Sequence, residues 1–267
     1  MKRMEEIKYA MSFWSKAWRF IQQHKLNYFF LFPIIISIAV YGFAFYGINE
    51  LTQYSHDNIK LWLESKQWIS QDQQDVFSKT ILVAIKILTW VAGLLVFFKV
   101  SKYITLTLMS PVMSYLSSKT DEIITEKNQR FDIVELIKDF VRGTALSIRN
   151  FLVEMSLHIG LFFVNLIFVF TFPPLEIVLT PLSTVASFVI SAYFFGFASI
   201  DYTLENRKYS FNQSIAYMRQ HKGKVIGNGI GFSLLFMIPV IGVTIATILS
   251  TVAGTLMVND LSSQEKK

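Results

Sequence analysis

The sequence of 267 residues contains no cysteine and few charged residues. Without cysteine the chain has no disulfide, no thiolate nucleophile and no thiolate metal ligand, which excludes thiol-based redox chemistry. Charged residues make up only 16% of the chain and hydrophobic residues 52%, and a soluble domain of this length would need far more charged surface. The composition therefore predicts an integral membrane protein.

Signatures of enzymes are missing as well. The sequence has no Walker phosphate loop and no serine in a nucleophile elbow, and its four histidines lack the spacing of metal ligands. The segment Gly227-Asn228-Gly229-Ile230-Gly231 imitates part of a dinucleotide fingerprint, but no strand precedes it, and we interpret it as a site of helix packing. We predict no enzymatic activity, no cofactor, no metal and no nucleic acid partner.

Long apolar stretches are abundant. Residues 26–49, 155–175 and 177–200 are each long enough to span a bilayer, and residues 80–98 carry only Lys86. Residues 225–259 have no charge, but Pro239 and Gly242 divide them into apolar arms of about 14 and 15 residues. An arm of that length reaches about 21 Å, against a hydrocarbon core of about 30 Å. This pattern predicts a re-entrant hairpin that enters the membrane and turns back.

The sidedness of the chain follows from lysine and arginine in the polar segments. Residues 1–25, 99–149 and 201–224 hold six, eight and five of them, whereas residues 50–79 hold five acids against three lysines. The three basic segments are predicted to be cytoplasmic, the amino terminus included, and residues 50–79 external. Each apolar block after the second helix must then leave and return to the same side.

These constraints predict one membrane domain over residues 1–267. It is an all-α integral membrane protein with two long transmembrane helices, two helical hairpins, of which at least the last penetrates only partly, and amphipathic interfacial helices. The predicted boundaries are an interfacial helix at 1–24, a transmembrane helix at 25–49, an external segment at 50–79, a long transmembrane helix at 80–118, an interfacial helix and the first hairpin at 130–200, a cytoplasmic connection at 201–224 and the re-entrant hairpin at 225–259. The first hairpin is predicted to turn at Phe172 to Glu176, because paired prolines stop a helix.

Two segments have amphipathic patterns. The first is a helical stripe with spacings of 4, 3, 4 and 3, which predicts a helix lying along the lipid headgroups: Ile7, Met11, Trp14, Trp18 and Ile21. The second, residues 131–149, carries a basic stripe of Lys138, Arg142 and Arg149. That stripe is interpreted mainly as a contact with lipid phosphates, with a role toward a substrate as the alternative.

Polar side chains inside an apolar helix are costly unless they face protein or water. Asn150, Glu154, His158 and Asn165 share one face of the third apolar helix, and Glu154 and His158 are spaced so that they can pair. One interpretation is a proton relay or the lining of a substrate path. The other is a structural polar seam between helices.

The chain from Phe195 onward resembles the CysZ-type sulfate permeases and their eukaryotic relatives, the etoposide-induced membrane proteins. The matching motifs are Asp201-Tyr202 with Leu204-Glu205 and Arg207, Arg219 to Gly223, the glycine-rich helix start, Ile238-Pro239, Ser110-Pro111 and Pro33. The resemblance implies long transmembrane helices with partly penetrating hairpins, a homo-oligomer in the lipid bilayer, and an inner-membrane permease that supplies sulfate for cysteine biosynthesis.

The family's anion motif, Gly-Leu-Arg followed by a second arginine, corresponds here to His24-Lys25-Leu26-Asn27. The resemblance therefore assigns binding of sulfate or a related oxyanion to Lys25, with His24 and Asn27. A helix that begins at this point also offers unpaired backbone N–H groups and the positive end of its dipole. Because lysine has no bidentate fork, a membrane-organising or lipid-handling protein of the same fold is the alternative function.

Overall fold

The computed structural model describes residues 2–65, 71–126, 133–238 and 241–264. Throughout these ranges the regular elements are helices: α1 Lys2–Gln23, a 3-10 helix Leu26–Phe30, α2 Leu31–Glu64, α3 Gln71–Thr125, α4 Ile133–Thr171, a 3-10 helix Pro173–Leu175, α5 Glu176–Asn206, α6 Phe211–Gln220, α7 Lys222–Phe236 and α8 Ile241–Gln264. The chain divides into two compact units, one formed by residues 38–104 and the other by residues 1–37 and 105–267.

Five of these helical segments are long and apolar enough to cross a membrane. They are Leu26–Leu63, Lys79–Phe97, Phe140–Thr171, Pro173–Asn206 and Gly242–Gln264. Their outer surfaces expose large apolar side chains, such as Phe43 at 79% and Phe170 at 79%. Apolar surface of this extent is stable in lipid and not in water, so the chain is a multi-pass membrane protein.

The smaller unit is a helical hairpin made of the second part of α2 and the first part of α3. Gly93 lies against Ile48, since a Cβ placed on it would be 3.1 Å from the Ile48 Cγ1 atom. The rings of Tyr41 and Phe97 meet edge to face with centroids 5.1 Å apart. α2 has 34 residues and α3 has 55, so the helices are about 50 and 80 Å long and exceed the thickness of the hydrocarbon core.

In the larger unit, α5 and α7 cross at very short distance because glycines face the partner backbone. A Cβ on Gly229 would collide with the Ala192 carbonyl group, and one on Gly196 would collide with that of Val225. Gly227 faces α1 instead, and a Cβ there would lie 2.6 Å from the Ile7 carbonyl oxygen. The glycine-rich segment of α7 therefore packs against two helices, which confirms its interpretation as a packing motif.

α4 and α5 form an antiparallel hairpin. Side-chain hydrogen bonds join Asn165 to Ser183 and Glu154 to Ser191, so that residues later in α4 meet residues earlier in α5. The helical break between them runs from Phe172 to Leu175, which is the place predicted from Pro173 and Pro174.

α7 and α8 form a second antiparallel hairpin, in which Gly242 packs against the Leu235 carbonyl group. Of the two predicted breaking residues, Pro239 lies outside the described residues and Gly242 is the second residue of α8, which begins at Ile241, while α7 ends at Phe236. The expectation that both arms are too short to span holds for α7, with 15 residues, and is wrong for α8, with 24. The helical hydrogen bonding of α8 continues past the apolar arm through its polar end, so helix length exceeds the length of the apolar run.

The packed face of α1 differs from the predicted stripe. Ala10, Phe13, Ala17 and Ile21 are buried against the core of the larger unit, whereas Met11 and Trp18 are 40% and 48% exposed. Small alanines allow α1 to approach α7 and α8 closely. The spacing of large apolar side chains does not indicate the alanines that line the contact.

Candidate functional site

The predicted anion site lies at the junction between α1 and the 3-10 helix. Lys25 adopts a left-handed backbone conformation, with φ 55° and ψ 37°, and immediately precedes Leu26, where the continuous helical segment that includes α2 begins. His24, Lys25 and Asn27 are all exposed. Among the described residues the Lys25 ammonium group has neither an ion pair nor a hydrogen bond, so its charge is available to a ligand.

The two neighbours of Lys25 are held by local contacts. The His24 ring lies 4.3 Å from the Phe20 ring between centroids, and Asn27 Nδ2 donates to Gln22 Oε1 at 3.3 Å. Asn27 and Gln22 also border an apolar cavity of about 570 Å³ against α8. The junction thus presents one free cation beside an imidazole and an amide, with apolar surface on one side.

The polar face predicted on α4 points toward α5 at two positions. The Glu154 carboxylate accepts a hydrogen bond of 2.8 Å from Ser191, and Asn165 Oδ1 accepts one of 3.2 Å from Ser183. Glu154 is 2% exposed, and its serine partner removes part of the cost of burying a carboxylate. These bonds join two helices, as a structural seam would.

The remaining members of that face make bonds within α4. His158 Nδ1 lies 2.8 Å from the main-chain oxygen of Glu154, so the bond between these residues goes to the backbone and differs from the predicted side-chain pair. Asn150 is 2% exposed, and its Oδ1 atom accepts from Arg149 at 2.7 Å. The His158 Nε2 atom is buried without a hydrogen-bond partner among the described residues.

A buried charge cluster that sequence analysis missed connects α4, α5 and α6. The two terminal nitrogens of Arg142 donate to the two carboxylate oxygens of Asp201, each at 3.1 Å. Arg142 also pairs with Glu205 at 2.7 Å and donates to Ser214 at 2.8 Å. The arginine side chain is 19% exposed, so the predicted contact with lipid phosphates is wrong for this residue.

The carboxyl-terminal end of α5 is polar on two opposite faces. Asp201 and Glu205, four residues apart, face Arg142, while Ser199 and Thr203, also four apart, face α7 and α8. A displacement of two residues along a helix turns the side chain by about 200°. The segment 201–224, predicted as a connection, is largely helical, since α5 continues to Asn206 and α6 occupies Phe211–Gln220.

Hydroxyl groups from three helices meet on the second face of α5. Ser117 of α3, Thr203 of α5 and Thr255 of α8 form a closed ring with oxygen separations of 3.1, 3.0 and 2.9 Å. Ser117, Thr203 and Thr255 are fully buried. Mutual hydrogen bonding satisfies these groups and holds the three helices in one register.

A second arginine completes this polar core at the end of α5. Arg207 donates to Ser262 and Asn259 of α8, both at 2.7 Å, and pairs with Asp121 of α3 at 3.4 Å. The two arginine clusters have no local sequence signal, because each partner lies 50 or more residues away. The one available signal was the four-residue spacing of Asp201 and Glu205 inside the motif that carries the family resemblance. Within the described ranges, no group of three or more His, Asp or Glu side chains is placed to hold a metal ion.

The helical hairpins, buried polar core and lipid-facing apolar surface define a polytopic helical membrane protein. The family described as "Sulfate transporter CysZ/Etoposide-induced protein 2.4" matches residues 13–246, and the chain belongs to this family. The family description names a transporter, in agreement with the prediction that the chain is not an enzyme.

Curated relatives cover nearly the whole chain. The chain is 26% identical over 243 residues to the sulfate transporter CysZ of Vibrio parahaemolyticus, which covers 90% of each protein. It is 24% identical over 239 residues to the proteins of the same name in Vibrio atlanticus and Vibrio cholerae, with 88% of this chain covered in both cases and 86% and 87% of the relatives.

Proposed function

We propose that this protein is a permease for sulfate or a similar oxyanion in the inner membrane, where it supplies sulfur assimilation. Family membership and the names of the Vibrio relatives support sulfate as the substrate class. The observation that carries the proposal for this chain is the exposed Lys25 ammonium group at the start of the long helical segment, without a partner in the described part of the chain.

Lys25, His24 and Asn27 form the entry site for the oxyanion in this proposal. The helix start adds a positive potential to the lysine charge, and both favour a divalent anion. A lysine is a compact charge that contacts one oxygen at a time, so it selects tetrahedral geometry less strictly than a bidentate arginine does. Glu154 and Asn165 form the polar seam along which α4 packs on α5, and Asn150 and His158 belong to the same polar face of α4.

The proposed arrangement in the membrane has two long spanning helices, α2 and α3, and two hairpins, α4–α5 and α7–α8. The amino terminus is cytoplasmic, and α7, with 15 residues, makes the last hairpin re-entrant. The exposed apolar surface of the two spanning helices supports assembly into a homo-oligomer, since such surface must meet either lipid or another copy.

Uptake of radiolabelled sulfate into proteoliposomes tests the function. Lys25→Ala should weaken the binding of sulfate by about 1–3 kcal/mol, the range for one charge-assisted contact. Lys25→Arg should preserve or strengthen binding, because arginine restores the bidentate fork. Calorimetric titration of the purified variants measures both effects.

Lys8→Ala is the matched control, since Lys8 is another exposed lysine of the same amino-terminal segment. If Lys25→Ala and Lys8→Ala bind sulfate with equal affinity, Lys25 is not part of the site, and the proposal that the protein transports sulfate still stands. If the wild-type protein neither binds nor transports sulfate, the permease proposal is wrong and a non-transport role of the same fold takes its place.

A further inference from the structure

A cavity of about 650 Å³ lies between α1, the end of α3 and the end of α8, apart from the junction at Lys25. One wall is a single face of α1 that includes Phe13, Lys16, Arg19 and Phe20. Ile124 of α3 and Leu256 of α8 contribute the apolar part of the opposite wall. The volume falls within the range of about 300–1,000 Å³ that is typical of sites for small molecules.

The cavity lining carries two cations and one acid. Arg19 is exposed and makes no ion pair or hydrogen bond with any described residue, and Lys16 lies over the Phe13 ring at 4.1 Å from its centroid. The acid in the lining, Asp260, already accepts hydrogen bonds from Tyr9 and Gln264. The lining thus has a net positive charge with both cations on the α1 wall, and this wall favours a negatively charged occupant.

The polar groups of the α8 wall already make hydrogen bonds within the protein. Ser262 accepts from Arg207 at 2.7 Å and donates to the Val258 carbonyl oxygen at 2.9 Å, and Ser263 donates to the Asp260 carbonyl oxygen at 2.7 Å. The surface left for a ligand consists of two cations, the Gln23 amide and aromatic or aliphatic side chains. A small hydrated anion would leave that apolar surface uncovered, whereas an anion with an apolar chain would cover it.

We propose that this cavity binds an anionic phospholipid. The phosphate lies between Lys16 and Arg19, and the first part of an acyl chain packs against Phe20, Ile124 and Leu256. The charge of the cavity selects anionic over zwitterionic headgroups, because only the former carry a net negative charge to the two cations. The bound lipid ties α1 to the ends of α3 and α8 and so braces the side of the larger unit that carries Arg207.

Native mass spectrometry of the full-length protein in maltoside micelles tests the proposal, with dioctanoyl phosphatidylglycerol and dioctanoyl phosphatidylcholine as probes. We expect the wild type to bind the phosphatidylglycerol at least tenfold more tightly than the phosphatidylcholine. The variant Lys16→Gln/Arg19→Gln should lose at least tenfold in affinity for the phosphatidylglycerol. Arg3→Gln/Lys8→Gln, which removes the same charge from exposed positions of α1 outside the cavity, should bind as the wild type does.

Two further measurements distinguish a lipid phosphate from a free oxyanion as the ligand. Ile124→Ser should weaken the binding of the phosphatidylglycerol and leave the binding of any free oxyanion unaffected, because in the proposal Ile124 contacts only the acyl chain. The proposal is overturned if millimolar inorganic sulfate displaces the lipid completely. It is also overturned if the two double variants lose equal affinity for the lipid. Arg19→Gln alone serves if the double variant does not fold, since Arg19 is exposed and bonds to no described residue.

Discussion

Arg142 of α4 holds Asp201 of α5 in a two-point contact, with each terminal guanidinium nitrogen 3.1 Å from one carboxylate oxygen. Glu205, one helical turn later, shares the same arginine at 2.7 Å. One half-buried cation thus faces two buried carboxylates, and this contact joins α4 to α5.

The charge cluster predicts a large loss of stability when the arginine is removed. Arg142→Met should lower the free energy of unfolding by about 3–5 kcal/mol, because two carboxylates would stay buried without their cation. Thermal unfolding in detergent measures the loss. Lys138→Met, an exposed position one turn earlier, should change little. Similar effects of the two variants would mean that Arg142 acts as an ordinary surface cation.

The glycine contacts predict that added methyl groups act differently by position. Gly229→Ala should destabilise the protein by about 1–3 kcal/mol or more, because its Cβ would collide with the Ala192 carbonyl group of α5. Gly160→Ala is the control, since nothing lies within 4 Å of that Cβ, and it should stabilise α4 by about 0.5–1 kcal/mol. Melting temperatures that shift equally would contradict the close crossing of α5 and α7.

Sidedness is testable because the chain contains no cysteine. Single cysteines at Asp57 and Asn212, both exposed, should react with an impermeant maleimide from opposite sides of the membrane. Asn212 is preferable to Gln213, whose side chain accepts a bond from the backbone of Ser210 in a capping box. Labelling of both positions from one side would refute the topology.

Glu154 is expected to matter for transport or assembly. Glu154→Gln keeps an oxygen that can accept from Ser191 but removes the charge, and we expect altered sulfate uptake or a less stable oligomer. Leu161→Ala on the same helix should do less. Sulfate uptake and light scattering after gel filtration provide the two readouts, and wild-type behaviour of Glu154→Gln in both would make the polar face incidental.

Stability should fall at alkaline pH through Tyr9. Burial and the hydrogen bond to Asp260 raise the pKa of Tyr9 above its ordinary value near 10. A raised pKa means that the folded state holds the proton more tightly, so the contribution is complete below about pH 10 and is lost as the pH rises beyond it. Melting temperatures should drop more steeply above pH 10 in the wild type than in Tyr9→Phe. Parallel curves would exclude this role.

Helix content, the break at Phe172 to Leu175 and the packing role of the glycines could be predicted, because each depends on local pattern. Two prolines stop a helix wherever they occur, and glycines spaced along an apolar helix permit close approach. The length of α8 was underestimated because hydropathy ends before helical hydrogen bonding does.

The polar core could not be predicted from local pattern. Asp201 and Glu205 lower the hydropathy at the end of α5, and this low hydropathy predicts the start of a connection. Their partner, Arg142, lies 59 residues before Asp201, and nothing near it in sequence indicates that it points inward. The anion site at Lys25 stays a prediction, supported by a side chain that is exposed and has no ion pair or hydrogen bond among the described residues.

Proton counting limits the hydroxyl ring to two hydrogen bonds. The Thr255 hydroxyl donates to the main-chain oxygen of Thr251 at 2.9 Å, which leaves Ser117 and Thr203 to supply two protons for three contacts. In every arrangement that places these two protons in different contacts, at least one of them points to the Thr255 oxygen, which can accept two bonds. α8 thus accepts from α3, from α5 or from both, and Thr255→Val removes at least one of the two hydrogen bonds of the ring.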